Sequence, residues 1–466
     1  MEGKNSISIR LRDNQSFGNS YSFALETDYK NKTISEESWD SMKEICNINT
    51  LLKDRKILTI PDKNSYENDA IFDRINDRLY TYNWVGVISN ITGDGNSCRV
   101  EICSRFDKGD KQFFLLYLLC NVCGINVFDL DINSASESDY TVILILLFLM
   151  KISDAYGEGF YKEYVRNRYN DFAFKGAFDV NRHILLNNPF VGRTAYSVRE
   201  YSYDNDILCL IRQTMDYIMD YYPEIWNGYV CQSAAILEMI DLIETATPSY
   251  RMNVNYSERI RCQKEITNPL YYAYEDARKM ALMILRESGQ NIFDNKVDES
   301  VGVLIDISWL WEEFIAVKLL KNKGFIHLQT DGKKGSLKWA KDENWYPDFI
   351  EDKEGERRKV FDAKYKFWKW NKDEDVHQLL SYLFLSGGEL CGIIYPSDID
   401  TYDEDMNNFE FKELYAYSSF YPDVKAKMYR MPFFVPKSAE ISFQKYCDRM
   451  NESISKWSEA FRKSVK

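Results

Sequence analysis

Trp345-Tyr346-Pro347-Asp348-Phe349-Ile350, a charged turn, and then Val360-Phe361-Asp362-Ala363-Lys364-Tyr365-Lys366 decide how this chain is read. The segment between them, Glu351-Asp352-Lys353-Glu354-Gly355-Glu356-Arg357, has the polarity and the glycine of a hairpin loop. The strand carrying Asp348 is therefore expected to fold back beside the strand carrying Asp362. Successive side chains alternate faces along a strand, so Asp362 and Lys364 project to one side while Phe361, Ala363 and Tyr365 pack on the other. Two carboxylates and an ammonium then converge.

Such a trio suits phosphodiester hydrolysis, which needs a hard cation to neutralise developing charge and activate water. Mg²⁺ prefers a few carboxylate oxygens plus retained waters and substrate phosphate, and Asp348 and Asp362 are suitable ligands. Lys364, two residues after a ligand on the same strand face, can orient or deprotonate the attacking water and stabilise charge on the phosphorus oxygens. The Asp-x-Lys triplet alone fits an ordinary amphipathic hairpin with a surface ion pair better, so the surroundings carry the argument.

Upstream, Val301 to Leu320 reads as a buried helix bearing Glu312 and Glu313. Glu312 reads equally as a third metal-site carboxylate and as a salt-bridging helix residue, and periodicity does not decide between it and Glu313. Downstream, Glu374 to Phe384 reads as a helix with Gln378 and Tyr382 on one face, Gln378 standing at the site's edge or in a polar core. The strand-like Gly392-Ile393-Ile394-Tyr395-Pro396 follows.

This order of helix with Glu, strand with Asp, strand with Asp-x-Lys, helix with Gln, and strand resembles the core of the PD-(D/E)xK nuclease superfamily. More specifically, the chain resembles the McrC family, the nuclease subunit of McrBC-type modification-dependent restriction systems. The resemblance rests on Ile305-Asp306-Ile307-Ser308-Trp309-Leu310-Trp311-Glu312, Pro347-Asp348, Phe361-Asp362-Ala363-Lys364-Tyr365-Lys366, His377-Gln378-Leu379-Leu380-Ser381-Tyr382 and Ile394-Tyr395-Pro396. Landmarks further upstream include Trp84-Val85-Gly86-Val87-Ile88, Val100 to Phe106, Gly157 to Tyr164 and Phe174 to Asp179. It implies a catalytic set of Asp348, Asp362, Lys364, Glu312 and Gln378, with Mg²⁺ held by Asp348, Asp362 and Glu312. It also implies a partner, a McrB-like hexameric AAA+ GTPase, on which the amino-terminal region docks and whose hydrolysis it stimulates. The substrate implied is modified double-stranded DNA, and a double-strand break calls for paired nuclease domains.

The rest of the chain sets bounds on this reading. Its 466 residues suffice for about three compact units. Hydrophobic content of 45% with 33 Tyr and 27 Phe indicates filled cores rather than a disordered scaffold. The formal charge of −13 argues against a grip on polyanionic DNA over the whole surface, so another subunit is expected to deliver the substrate. Locally, Arg357, Arg358, Lys359, Lys364, Lys366, Lys369 and Lys372 interleave with Phe367, Trp368 and Trp370, either as a phosphate-facing patch or as a solvated hairpin edge. Of the ten cysteines, Cys120 and Cys123 have CxxC spacing without a second pair, which favours buried free thiols over zinc. The start MEGKNSISIR has no apolar signal core, and Val142 to Met150 is too short for a bilayer, so a cytoplasmic protein without membrane insertion is expected.

The expected fold is α+β and multidomain: a strand-rich partner-interaction domain over 1–135, a mainly helical middle over 136–300, and a nuclease domain over 301–466 with a mixed sheet flanked by helices. Strands are expected at Ile7 to Leu11, Ile57 to Ile60, Leu79 to Ile88 and Arg99 to Phe106. No GxxxxGK[ST] phosphate loop is present, so nucleotide hydrolysis belongs to a separate motor. Two rival readings remain: a non-catalytic activator or scaffold of that motor, and a stand-alone DNA repair nuclease.

Overall fold

The structure, a computed structural model, describes residues 6–17, 39, 42–54, 56–61, 63, 65–75, 78–91, 97–107, 111–125, 139–261, 263–287, 301–327, 336–341, 343–352, 358–368, 370, 373–398, 409–415, 419, 421–438 and 441–465. The chain divides into two compact units, one formed by residues 1–140 together with 295–466 and the other by 141–294. The first and last of the three stretches separated by sequence thus share a unit.

That shared unit begins with a five-stranded mixed sheet in the spatial order Ser6–Arg12, Ser97–Cys103, Trp84–Ile91, Val301–Asp306, Ile57–Ile60. The strands expected from the amino-terminal sequence are found with two corrections: Leu79 to Ile88 is split into Arg78–Thr81 and Trp84–Ile91, and the strand expected at Arg99 to Phe106 ends at Cys103, where the chain turns. Its apolar side chains, among them Ile9, Leu11, Ile57, Ile88, Val100, Ile102 and Leu304, close one core. The helix expected over Val301 to Leu320 is corrected here. Val301–Asp306 is a strand, antiparallel to Trp84–Ser89 and parallel to Ile57–Ile60. Helix begins at Ile307, runs to Phe314 and continues as a wider π turn over Ile315–Leu319. The Val-Gly-Val-Leu-Ile run suits a central strand. The switch falls at Asp306, whose carboxylate accepts the Ser308 and Trp309 N–H groups at 3.0 and 3.2 Å and so caps the new helix.

A second, six-stranded sheet in the same unit runs Phe325–His327, Phe349–Glu351, Val360–Ala363, Leu390–Ser397, Lys427–Phe434, Phe411–Glu413. Phe349–Glu351 and Val360–Ala363 are antiparallel, as the hairpin reading requires. Val360–Ala363 and Leu390–Ser397 are parallel, joined through the helix Asp373–Ser386 that such a crossover needs. All eight residues of Leu390–Ser397 are buried, the pattern of a central strand covered on both faces. The terminal helix spans Phe443–Ser464 and lays Phe443, Tyr446, Met450, Trp457 and Phe461 inward, with Phe461 against Phe361 at 5.5 Å between ring centroids.

The second unit is less purely helical than its sequence suggests. A three-stranded antiparallel sheet, Glu163–Asp171, Thr194–Ser202 and Ala177–Phe178, stands beside helices that include Asp206–Tyr221, Ala234–Ala246 and Tyr272–Glu287. The alternation of exposed and partly buried residues along Glu163–Asp171 is what hid it from a search for apolar runs. The helix Tyr140–Glu158 is long and apolar enough to cross a membrane by length and composition, but 67% of its apolar window is buried within the fold. The nine described cysteines are free.

Candidate active site

The hairpin ladder pairs Phe349 with Phe361 and Ile350 with Val360, so one further step in register sets Asp348 across from Asp362. Asp348 Oδ2 accepts the Ala363 N–H at 2.7 Å, which fixes its carboxylate at the end of the Asp362 strand. Asp362 is buried, and Lys364 Nζ lies 2.7 Å from its Oδ2, near enough for a charge pair but without the alignment of a hydrogen bond. Lys364 Nζ donates to Gln378 Oε1 at 3.1 Å, and Gln378 Nε2 donates to Tyr382 Oη at 2.9 Å. The same Oη donates to the Tyr346 carbonyl at 3.3 Å, two residues before Asp348. Gln378 therefore stands between the lysine and Tyr382.

Electrostatics bind the group together. Burial pushes the Asp348 carboxyl well above the usual range, and the charges of Asp362 and Glu312 push it further. Burial also raises Asp362, against the opposing pull of Lys364. Burial works against the Lys364 ammonium, but Asp362 and Asp348 outweigh it and its pKa rises. The choice between Glu312 and Glu313 is sharpened by geometry. Glu312 is buried, its Oε1 is 2.8 Å from His327 Nε2, and its charge reaches Asp348. Glu313 Oε1 lies 3.7 Å from His327 Nδ1. Glu312 thus makes the histidine pair that a structural carboxylate would make, while its charge is felt at Asp348.

His327 has no signal in the sequence. Its ring stacks on Phe349, the neighbour of Asp348, at 5.0 Å while it holds Glu312. Asp375 was also missed. It takes Lys366 Nζ at 2.8 Å and the Trp368 indole N–H at 2.9 Å, tying down the chain that leaves Lys364. On the other side, Tyr365 Oη meets Ser104 Oγ at 2.7 Å, under an Arg105 guanidinium that Asp13 holds at 2.7 and 2.8 Å. Long-range pairs of this kind leave no local pattern in sequence. Much of the expected basic patch is engaged internally: Lys366 with Asp375, Lys359 with Glu351 at 3.7 Å, and Arg358 Nε with the Glu351 carbonyl at 2.9 Å. Arg357, Lys369 and Lys372 lie outside the described residues.

Among the described residues no three His, Cys, Asp or Glu side chains form a ready-made metal cluster. The pair Asp348 and Asp362 nonetheless fits a hydrated Mg²⁺, which takes one or two carboxylates and keeps several waters. A buried carboxylate oxygen lacking an aligned donor and two mutually repelling carboxylates are both relieved by a hard cation.

Residues 79–396 match the family described as McrBC 5-methylcytosine restriction system component. This chain belongs to that family, and the matched span includes Glu312, His327, Asp348, Asp362, Lys364, Asp375, Gln378 and Tyr382. No curated protein shows a significant match. Among solved structures, the chain is similar to one in the refined half-complex from the tetradecameric assembly of Thermococcus gammatolerans McrB AAA+ hexamers with bound McrC. That likeness has 14% identity and a TM-score of 0.45, over 97% of this chain and 100% of that one. The cryo-EM structure of the Thermococcus gammatolerans McrBC complex matches at 14% identity and a TM-score of 0.30, over 68% of this chain and 88% of the other.

Proposed function

We propose that this chain is the DNA endonuclease subunit of a McrBC-type restriction system, with a PD-(D/E)xK core, dependent on Mg²⁺ and assembled with an AAA+ GTPase partner that it stimulates. The observation that carries the reading is the convergence of Asp348, Asp362 and Lys364 at the ends of adjacent strands. Bound Mg²⁺ would supply charge neutralisation and water activation, with Asp348 and Asp362 holding it and Glu312 beside them. The Lys364 ammonium, 2.7 Å from the Asp362 carboxylate, is placed to donate to a phosphate oxygen or to orient the attacking water. Gln378 and Tyr382 hold that ammonium in place, and the Ala363 N–H holds Asp348.

The acidity of the chain supports delivery of modified duplex DNA by the partner, and two copies of the site would serve a double-strand break. Docking through the amino-terminal sheet is part of this reading, and the exposed Phe172, Phe174, Ile184, Leu185 and Phe190 offer a further apolar surface to a protein. A cytoplasmic setting agrees with the free thiols.

Asp348→Ala and Lys364→Ala are each expected to abolish cleavage of modified DNA by the assembled complex while leaving partner binding and GTPase stimulation intact. Retained cleavage would sink the assignment. A second reading is a scaffold that activates the motor without metal chemistry. Calorimetry separates the two: Mg²⁺ binding by the wild type that disappears in Asp362→Ala supports the nuclease, and no binding by either protein supports the scaffold.

A further inference from the structure

A two-stranded ribbon, Leu337–Ala340 with Glu343–Trp345, leads directly into Pro347-Asp348. Leu337 pairs with Trp345, and Trp339 is the unpaired residue where the register shifts between Lys338 and Ala340, its ring 6.2 Å from that of Trp345. Leu337 is buried in the core, but Trp339 is 52% exposed, Trp345 36% and Tyr346 44%. Three large aromatic side chains thus meet solvent within the ten residues that precede a site carboxylate. The ribbon is coupled to the reacting groups, since Trp345 packs edge-on to Tyr382 at 5.9 Å and Tyr382 bonds both Gln378 and the Tyr346 carbonyl. Its exposed charges include Lys338, Lys341 and Glu343, and with Asp342 counted the ribbon sequence is electrically balanced on a strongly acidic chain.

We propose that Trp339, Trp345 and Tyr346 form a stacking platform for unpaired nucleobases of the DNA strand being cut, one or two nucleotides from the scissile phosphate. The proposal rests on the nuclease reading. The π face of every base stacks on an indole, so such a platform is tolerant of sequence and prefers single-stranded or locally opened DNA. Each indole offers its own apolar face, the two rings tilted by 47°, and Lys338 and Lys341 supply attraction for the backbone that must run beside them. A strand splayed here has its next phosphate directed to Asp348 and Asp362.

The test measures binding of a fluorescein-labelled single-stranded oligonucleotide in EDTA, so no cleavage is needed. Trp339→Leu, which keeps apolar bulk but loses the aromatic face, is expected to weaken binding about tenfold, whereas Trp339→Phe retains most of it. Thermal midpoints are expected to match the wild type because Trp339 is half exposed. Equal affinity in the Leu variant, equal losses in Leu and Phe, or wild-type preference for duplex over single strand overturns the platform. So does a Trp339→Leu variant that loses assembly with the GTPase but not DNA. As a check that needs no variant, photocrosslinking of a bromouracil oligonucleotide to the wild type is expected at the 339–346 ribbon, and crosslinks confined elsewhere overturn it. If Lys364→Ala still cuts while Trp339→Leu loses the oligonucleotide, the cleavage assignment fails and the platform stands.

Discussion

Lys364 is placed as much by its sequence neighbours as by its own contacts. Tyr365 turns its hydroxyl to Ser104 and its ring to Arg105, while Lys366 and Trp368 are anchored on Asp375. Burial raises the Tyr365 phenol well above its ordinary range, so it is a neutral donor or acceptor at any working pH. Removing a single buried hydrogen bond of this kind is worth about 1 kcal/mol, or roughly a fivefold change in rate if it is felt in the transition state. Tyr365→Phe and Ser104→Ala are each expected to lower kcat for cleavage by about that factor or more, with KM unchanged. Ser104 Oγ also accepts the Phe106 N–H at 3.1 Å, so Ser104→Ala is expected to lose more than Tyr365→Phe, and the double variant is expected to be no worse than Ser104→Ala alone. Additive losses in that cycle would show that the two residues act separately and that Tyr365 does not position Lys364.

Among the elements, the hairpin, the Gln378 helix and the Ile394 strand were legible because each carries its own period and its own turn residues. The Val301–Asp306 strand was not, since an apolar run continuing into a helix has no periodicity that marks where one conformation stops; the mark is the Asp306 cap. Asp348, Asp362 and Lys364 could be read from alternation in two adjacent strands. His327 and Asp375 could not, because their partners are fixed by packing rather than spacing. The terminal helix carries a different, pH-linked feature. It covers Lys323, whose ammonium lies 5.4 Å from the Trp457 ring and 5.3 Å from the Phe461 ring and donates to Ser458 Oγ at 3.3 Å. Burial, with Arg462 adding repulsion, lowers its pKa to about 8 from 10.5. Between these values the unfolded chain holds more protons than the folded one, so stability rises with pH across that window and the cost of the buried charge is fully present below it. Lys323→Met is expected to flatten this rise between pH 8 and 10.5 in urea unfolding curves. A variant curve parallel to the wild type would assign the slope to other groups.

For the whole molecule, the decisive junction is the pairing of Trp84–Ile91 with Val301–Asp306, which builds an element from late in the chain into the amino-terminal sheet. Two glycines permit the close approach. A Cβ on Gly302 would stand 2.7 Å from the Val87 carbonyl oxygen, and one on Gly86 would stand 2.1 Å from that of Val303, at a φ of +143° that side chains seldom adopt. In both cases the obstacle is backbone, which has no rotamer to move away. Gly86→Ala therefore combines overpacking with backbone strain and is expected to cost about 3 kcal/mol. Gly157→Ala is the contrast, since a Cβ there meets nothing within 4 Å and lies in a helix, where alanine is preferred. The sheet also carries Ser104, Arg105 and Asp13 to Tyr365, so loosening it reaches the cleavage site. Gly86→Ala should accordingly lower the urea midpoint and the cleavage rate together, while Gly157→Ala leaves both in place. If Gly86→Ala unfolds at the wild-type midpoint, the two segments are not held by this close contact, and the amino-terminal sheet does not support the site in the way the geometry requires.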